Sequence, residues 1–212
     1  MGLAHGRLLT EEIRSLVRQM KRFVFRRPNP LIGIGLQIAV RLLSMAMERH
    51  IPPSLKHELK AVARGSGVAY SDLLMMNALD DALNILRSTI PTLPKLACSS
   101  FVIDGERCRD GKMLHGRNLD YHFRGTPLED HGAVAKLLAA ESVVFVCRPL
   151  GRNAFVSIGW PGFVGVATAI NQKGISLGNH TSYIKNTSPH GIPSACLYRK
   201  LLEEASTISD VN

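Results

Sequence analysis

Three short stretches carry residue types able to do acyl chemistry. The first is Cys98-Ser99-Ser100-Phe101-Val102, an apolar, β-prone run entered through a linker bracketed by Pro91 and Pro94. Cleavage of the bond between Ala97 and Cys98 would leave a thiol and a free α-amine on one residue. The amine has a reference pKa of about 8, close to working pH, so it can act as general base for its own thiol. A buried structural cysteine fits the same position, because cysteine is among the most buried residue types.

The second stretch is His115-Gly116-Arg117-Asn118-Leu119-Asp120. On a strand, Arg117 and Leu119 face one side and Asn118 and Asp120 the other. A bulge or a strand end is then needed to bring Arg117 and Asp120 to one site. Asp120 can orient an α-ammonium, and Arg117 can hold a thiolate, a substrate carboxylate or the Asp itself. Taken alone, these residues read more readily as a surface ion pair beside a turn. The third stretch is Gly174-Ile175-Ser176-Leu177-Gly178-Asn179. Gly178 permits close approach of a substrate or backbone. The Asn179 amide or its backbone N–H can face a tetrahedral oxyanion, or Asn179 can simply end a strand.

The elements that would position these residues are legible by periodicity. Leu9, Ile13, Leu16, Val17 and Met20 recur at helical spacing after Thr10, a candidate cap with Glu11 and Glu12 in the first turn. Pro28 and Pro30 stop this helix, and a second covers about 34–48. A third begins near Ser54 and ends at Gly65 and Gly67. A fourth, capped by Ser71, runs over 72–86. From Cys98 the pattern turns to strands: 99–103, 112–121, 142–148 and 154–160, then a hairpin of 164–170 with 174–179. A last helix starts near Pro193. Helices first, then antiparallel strands, then a helix predict an α+β fold with a layered sheet.

Composition bounds the partners. The chain has 212 residues, 45% of them hydrophobic and 20% charged, which is ordinary globular composition. The net charge of +9 sits mostly before Cys98, with Arg18, Lys21, Arg22, Arg26 and Arg27 on and after the first helix. Aromatic interleaving is slight and nucleic-acid motifs are absent, so no nucleic-acid partner is expected; a solvated helix face or attraction to anionic acyl donors or lipid accounts for the charge. Cys98, Cys108, Cys147 and Cys196 are too few and scattered for a disulfide scaffold, and no CxxC pair suggests zinc. The apolar run 31–47 is interrupted by Gln37 and Arg41 and is short for a bilayer span, so a buried or amphipathic helix is expected rather than a transmembrane segment. The first residues lack the apolar region of a secretory signal, which favours a cytoplasmic chain.

Taken together and in order, these stretches resemble the acyl-coenzyme A:6-aminopenicillanic acid acyltransferase family, the C45 autoproteolytic peptidases. These are relatives of choloylglycine hydrolases and acid ceramidase among the N-terminal-nucleophile hydrolases. Cys98-Ser99-Ser100-Phe101 resembles the family's nucleophile strand, and Gly116-Arg117-Asn118-Leu119-Asp120 its "G-R-N-x-D" strand. Upstream, Glu58-Leu59-Lys60-Ala61-Val62-Ala63-Arg64-Gly65-Ser66-Gly67-Val68 is similar to its "E-L-x-G-x-A-x-G-x-G" segment, continued by Ser71-Asp72-Leu73-Leu74 and Asn77. Ala4-His5-Gly6-Arg7-Leu8-Leu9 resembles its early helix entry.

The resemblance implies a helical pro-segment over 1–97 and, over 98–212, the N-terminal part of an αββα catalytic subunit. It implies Cys98 as nucleophile and, through its freed amine, base, with Arg117 and Asp120 positioning it and Asn179 contributing to the oxyanion site. The implied substrates are small acyl amides or acyl thioesters, with no metal and no bound cofactor; coenzyme A would enter only as part of a substrate. The two self-cleaved pieces are expected to stay associated. An acyl-CoA-dependent N-acyltransferase and a non-catalytic truncated relative stand as alternatives. Cys108, Cys147, Cys196, His115 and His122 are expected to be structural, and Trp160-Pro161-Gly162 to shape a pocket rim. Family members run on with further strands and a second oxyanion Asn, which implies that 212 residues are a fragment.

Overall fold

The computed structural model describes residues 1–26, 29–90, 95–122, 133–182 and 186–211, and for 95–97, 120–122 and 133–135 the backbone only. The predicted linker between Pro91 and Pro94 and the helix stop at Pro28 lie outside the described residues. Six helices come first: α1 (Gly2–Leu8), α2 (Thr10–Phe25), α3 (Pro30–Glu48), α4 (Pro53–Ser66), α5 (Tyr70–Asn77) and α6 (Leu79–Thr89). Strands β1 (Lys95–Ile103) and β2 (Leu114–His122) follow, then α7 (Ala133–Ala140), β3 (Val143–Cys147), β4 (Phe155–Gly159), β5 (Thr168–Asn171), β6 (Ser176–Gly178) and α8 (Ser194–Glu204). The order is α+β.

Several helix boundaries differ from expectation, each for a local or packing reason. Thr10 does not cap α2; Leu9 is the N-cap, and Thr10 Oγ1 donates back to the Gly6 carbonyl at 2.7 Å, joining α2 to α1. Pro30 does not break a helix but opens α3 at its first position, with Asn29 Oδ1 accepting from the Leu31 N–H at 2.9 Å. Gly65 lies inside α4, where it lets α1 approach: a Cβ on Gly65 would meet the Leu3 carbonyl oxygen at 2.7 Å and Gly6 Cα at 2.9 Å. The predicted helix over 72–86 is two helices broken at Ala78, and Ser71 lies inside the first of them. α7, over 133–140, is an element that periodicity did not suggest.

α2 is the hub of the helical half. Its Leu16, Met20 and Val24 pack with Leu36, Val40, Leu79, Leu83 and Leu138 in one core. Its Ile13 and Val17 pack with Leu55, Leu59, Val62, Leu73 and Val164 in another.

The strands form two antiparallel sheets, β1-β2 and β3-β4-β5-β6. One face of the larger sheet presents Cys147, Phe155 and Ala169, which pack with Leu202 of α8. The other face presents Val144, Val146, Val156, Ile158, Thr168, Ile170 and Ser176, as the register Val156↔Ile170, Ile158↔Thr168 and Ile170↔Ser176 requires. β2 reaches this second face at its β5-β6 end, through His115 Nδ1 to Ser176 Oγ at 2.8 Å and Arg117 Nη1 to Thr168 Oγ1 at 2.7 Å. The space between the two sheets is where the predicted site residues meet.

Candidate functional site

β1 and β2 pair without a bulge from Lys95↔His122 to Ile103↔Leu114. Within this ladder Ser100 stands opposite Arg117 and Cys98 opposite Leu119. Residues directly opposite one another in an antiparallel pair share a face, so Cys98, Ser100, Arg117 and Leu119 form one side of the hairpin. Arg117 then reaches diagonally across that face, and its Nη2 donates to Cys98 Sγ at 3.1 Å. Asp120 pairs in backbone register with Ala97, one step out of phase with Cys98 and Arg117. Its carboxylate lies outside the described residues.

The rest of the Arg117 fork is fixed by the larger sheet. Nη2 and Nε donate to the Asn179 carbonyl at 2.6 and 3.1 Å, and Nη1 donates to Thr168 Oγ1. All three guanidinium nitrogens are therefore engaged, and a planar fork held at several points has little rotamer freedom left. Gly178 makes the approach possible, because a Cβ there would lie 2.9 Å from Arg117 Cδ and 3.4 Å from His115 Cε1.

Asn179 joins this arrangement in a way that narrows the sequence reading. Its backbone N–H donates to the Ala167 carbonyl at 2.7 Å and is not free to meet an oxyanion. Its carbonyl is held by Arg117. Only the side-chain amide is left for that role, and it sits on a buried residue that lines a cavity with Trp160, Pro161 and Gly162. That cavity, about 70 Å³, is also lined by apolar residues of α2, α5 and α6, by Leu138, and by the polar Asn77, Asp80, Asp81 and Ser194. A second cavity of about 230 Å³ opens beside Arg117 and Thr168, lined by Leu119, Leu138, Ile158 and Trp160. Leu138 and Trp160 are walls of both.

Buried Asn77 and half-buried Asp81 brace the cavity from the helical half. Asn77 donates to the Leu73 and Gly162 carbonyls at 2.9 and 3.0 Å and accepts from the Val164 and Gly165 N–H groups at 2.8 and 3.2 Å. Asp81 accepts from the Ser194 backbone N–H and hydroxyl, each at 3.1 Å, at the start of α8. Burial pushes its carboxyl above the usual range, and the Ser194 hydrogen bonds act against that. Across the molecule, Arg199 pairs with Glu203 at 2.6 Å and Glu58 at 3.4 Å, and burial raises the Glu58 carboxyl against the pull of Arg199.

Of the residues singled out by chemistry, Cys98 and Arg117 come into direct contact, and Asn179 joins through its carbonyl. Thr168 is a partner that sequence reasoning missed; nothing in the spacing connects it to Arg117, 51 positions away. Cys147 and Cys196 are buried and Cys108 half-buried, all as free thiols. Among the described residues, no group of three or more His, Cys, Asp or Glu could hold a metal ion.

The chain also has recognisable relatives. Residues 108–212 match the family described as acyl-coenzyme A:6-aminopenicillanic acid acyl-transferase; the match begins downstream of Cys98. An uncharacterised protein of Archaeoglobus fulgidus is 28% identical over 99% of this chain and 36% of its own length. Protein dcd1A of Dictyostelium discoideum is 26% identical over 99% of this chain and 48% of its own length. An N-acylethanolamine-hydrolyzing acid amidase of Caenorhabditis elegans is 30% identical over 52% of this chain and 27% of its own length. The chain thus spans less than half the length of the relatives it matches.

Proposed function

Since residues 108–212 belong to the acyl-coenzyme A:6-aminopenicillanic acid acyl-transferase family, we propose that the chain carries a self-activating cysteine amidohydrolase site centred on Cys98. The observation that carries this reading is the 3.1 Å contact from Arg117 Nη2 to Cys98 Sγ, made by a guanidinium held on its other side by Asn179 and Thr168. A structural cysteine does not require such a donor, whereas a nucleophile needs its sulfur aimed.

The first reaction is intramolecular. The Cys98 thiol adds to the Ala97 carbonyl, the C–N bond breaks as its nitrogen takes a proton, and a thioester remains. Water cleaves the thioester, releasing the Ala97 carboxylate, the thiol and a free α-amine. In turnover that amine takes the thiol proton and the sulfur adds to the carbonyl of a linear amide. The leaving amine departs with the proton, and water, with the α-amine as base, frees the acid. Asp120 orients the amine, and the Asn179 side-chain amide donates to the oxyanion. Residues 1–97 are then the pro-segment and 98–212 the start of an αββα catalytic subunit.

An apolar acyl chain suits the cavity beside Arg117, with Leu119, Leu138, Ile158 and Trp160 as walls. The name of the Caenorhabditis elegans relative points to the same class, N-acyl amides. Contacts that cross the 97/98 junction would keep the pieces together after cleavage: Glu58 with Arg199, Asp81 with Ser194, and Asn77 with Val164. The family description favours a second outcome of the same acyl-enzyme, transfer to an amine in place of water.

Intact-protein mass spectrometry of the chain beside a Cys98→Ala control tests the reading. Two fragments meeting between Ala97 and Cys98, absent from the control, are expected. A single uncut mass, together with no acylation of Cys98 by a reactive N-acyl substrate, sinks it. Product analysis with added amine separates hydrolysis from transfer.

A further inference from the structure

α3 departs from the pattern of a surface helix. It is apolar along nearly its whole length, yet less than a third of it is buried. Its inward row, Gly33, Leu36, Val40, Ser44 and Met47, is buried and faces α2, α5 and α6. The opposite row, Leu31, Ile34, Ile38, Leu42 and Met45, recurs at the same helical spacing and is 52–76% exposed. A surface helix ordinarily carries polar residues there. At 1.5 Å per residue this aliphatic row runs about 21 Å along the molecule.

The charge around the row says what covers it. Arg49 follows Met45 by one turn and continues the row, and Arg41 lies on its flank; both are exposed. Arg41 also donates to Ser71 Oγ on α5. The single acid of α3, Glu48, is turned to Tyr70, whose hydroxyl donates to it at 2.7 Å. The chain as a whole carries +9. An aliphatic row framed by cations, with no carboxylate along it, has the chemistry of a helix lying in the interface of an anionic bilayer. A second copy fits less well, because a two-fold contact through this row would bring two strongly cationic chains and their Arg41 and Arg49 side chains together.

We propose that the exposed row of α3 docks the protein on an anionic phospholipid surface, with the helix lying in the plane of the membrane. It does not cross the membrane, because Leu36, Val40 and Met47 are committed to the protein core and a span would strip them from it. The inference is independent of the chemistry at Cys98.

Vesicle flotation tests it, with the full chain and vesicles of phosphatidylcholine alone or mixed with phosphatidylserine. Binding to the mixed vesicles, weakened by salt and by Arg49→Gln, is expected. Ile34→Glu with Ile38→Glu lowers it by about tenfold or more. Val144→Glu with Val146→Glu, on the exposed face of the larger sheet, leaves it unchanged. Circular dichroism establishes that each variant is folded; Leu42→Gln replaces the double variant if that one is not. Absent binding to the mixed vesicles, or equal binding by wild type and the α3 variants, overturns the proposal. So does light scattering that finds a wild-type dimer which the same α3 substitutions dissociate, since the row then belongs to a second copy.

Discussion

Arg117 Nη2 donates to Cys98 Sγ at 3.1 Å from the strand paired with the one that carries the cysteine, while the same nitrogen donates to the Asn179 carbonyl at 2.6 Å. One guanidinium thus ties the β1-β2 hairpin to the larger sheet, and the position of the sulfur depends on both. Removing the donor removes a charge-assisted hydrogen bond. Arg117→Met is expected to slow reaction of Cys98 with a thiol-directed acyl probe by roughly 10- to 100-fold. Arg117→Lys does not restore it, because an ammonium cannot reproduce the fork. Thr168→Val removes one neutral partner and costs about fivefold. Labelling rates followed by mass spectrometry check all three; equal rates in wild type and Arg117→Met would falsify the assignment of Arg117 as the positioning group.

Gly178 is a separate handle on the same geometry. Its missing side chain leaves the space that Arg117 Cδ uses, 2.9 Å from where a Cβ would stand. Gly178→Ala is expected to displace Arg117 and to reduce labelling of Cys98 as far as Arg117→Met does, at a stability cost of only about 1 kcal/mol. Thermal denaturation beside the labelling assay reads both. A variant that labels at the wild-type rate shows that Arg117 has room to spare.

Asn77 is expected to be a stability residue. Three of its four hydrogen bonds hold α5 to the Gly162–Gly165 backbone, the fourth goes to the Leu73 carbonyl within α5, and it is 3% exposed. Asn77→Ala leaves buried backbone groups without partners and should cost about 3 kcal/mol in urea denaturation. A loss well under 1 kcal/mol would mean that water replaces the amide there.

His5 makes stability depend on pH. Its Nε2 accepts from the Gly162 N–H at 3.0 Å, which requires the neutral ring, and burial lowers its pKa from 6.5 to about 4. The unfolded chain therefore binds a proton at His5 before the folded one does. The contribution is complete above the unfolded value, declines as pH falls below about 6.5 and is lost near 4, up to about 3 kcal/mol. Asp81 and Glu58, with raised carboxyls, act in the opposite direction. The informative quantity is thus the difference between wild type and His5→Gln, which keeps an acceptor without a titration. That difference should shift against wild type on acidification; a difference constant with pH refutes the assignment.

Local pattern carried much of this protein. The Cys98 strand, the Gly-Arg-Asn strand and their order are readable because hydrophobic alternation and turn residues act over a few positions, and a regular hairpin follows from them. The same alternation placed Arg117 on one face with Leu119, and the ladder keeps it there without a bulge. The inward rows of α2 and α4 were equally legible, since helical periodicity marks one face. What periodicity cannot state is which distant group that face will meet. Ser71 looked like a cap and 72–86 like one helix because the local propensities are good; the break at Ala78 accompanies the commitment of Asn77 to carbonyls and amides 85–88 positions away. Thr168 and the Asn179 carbonyl became partners of Arg117 only once two sheets lay face to face. The run 31–47 read as buried or amphipathic, and among the described residues its neighbours cover one of its two apolar rows. The sequence by itself determined the local elements and where residue types capable of acyl chemistry stand along the chain. The tertiary structure alone decided which side chains meet, because hydrogen bonding and burial across tens of residues are set by packing and not by the neighbours along the chain.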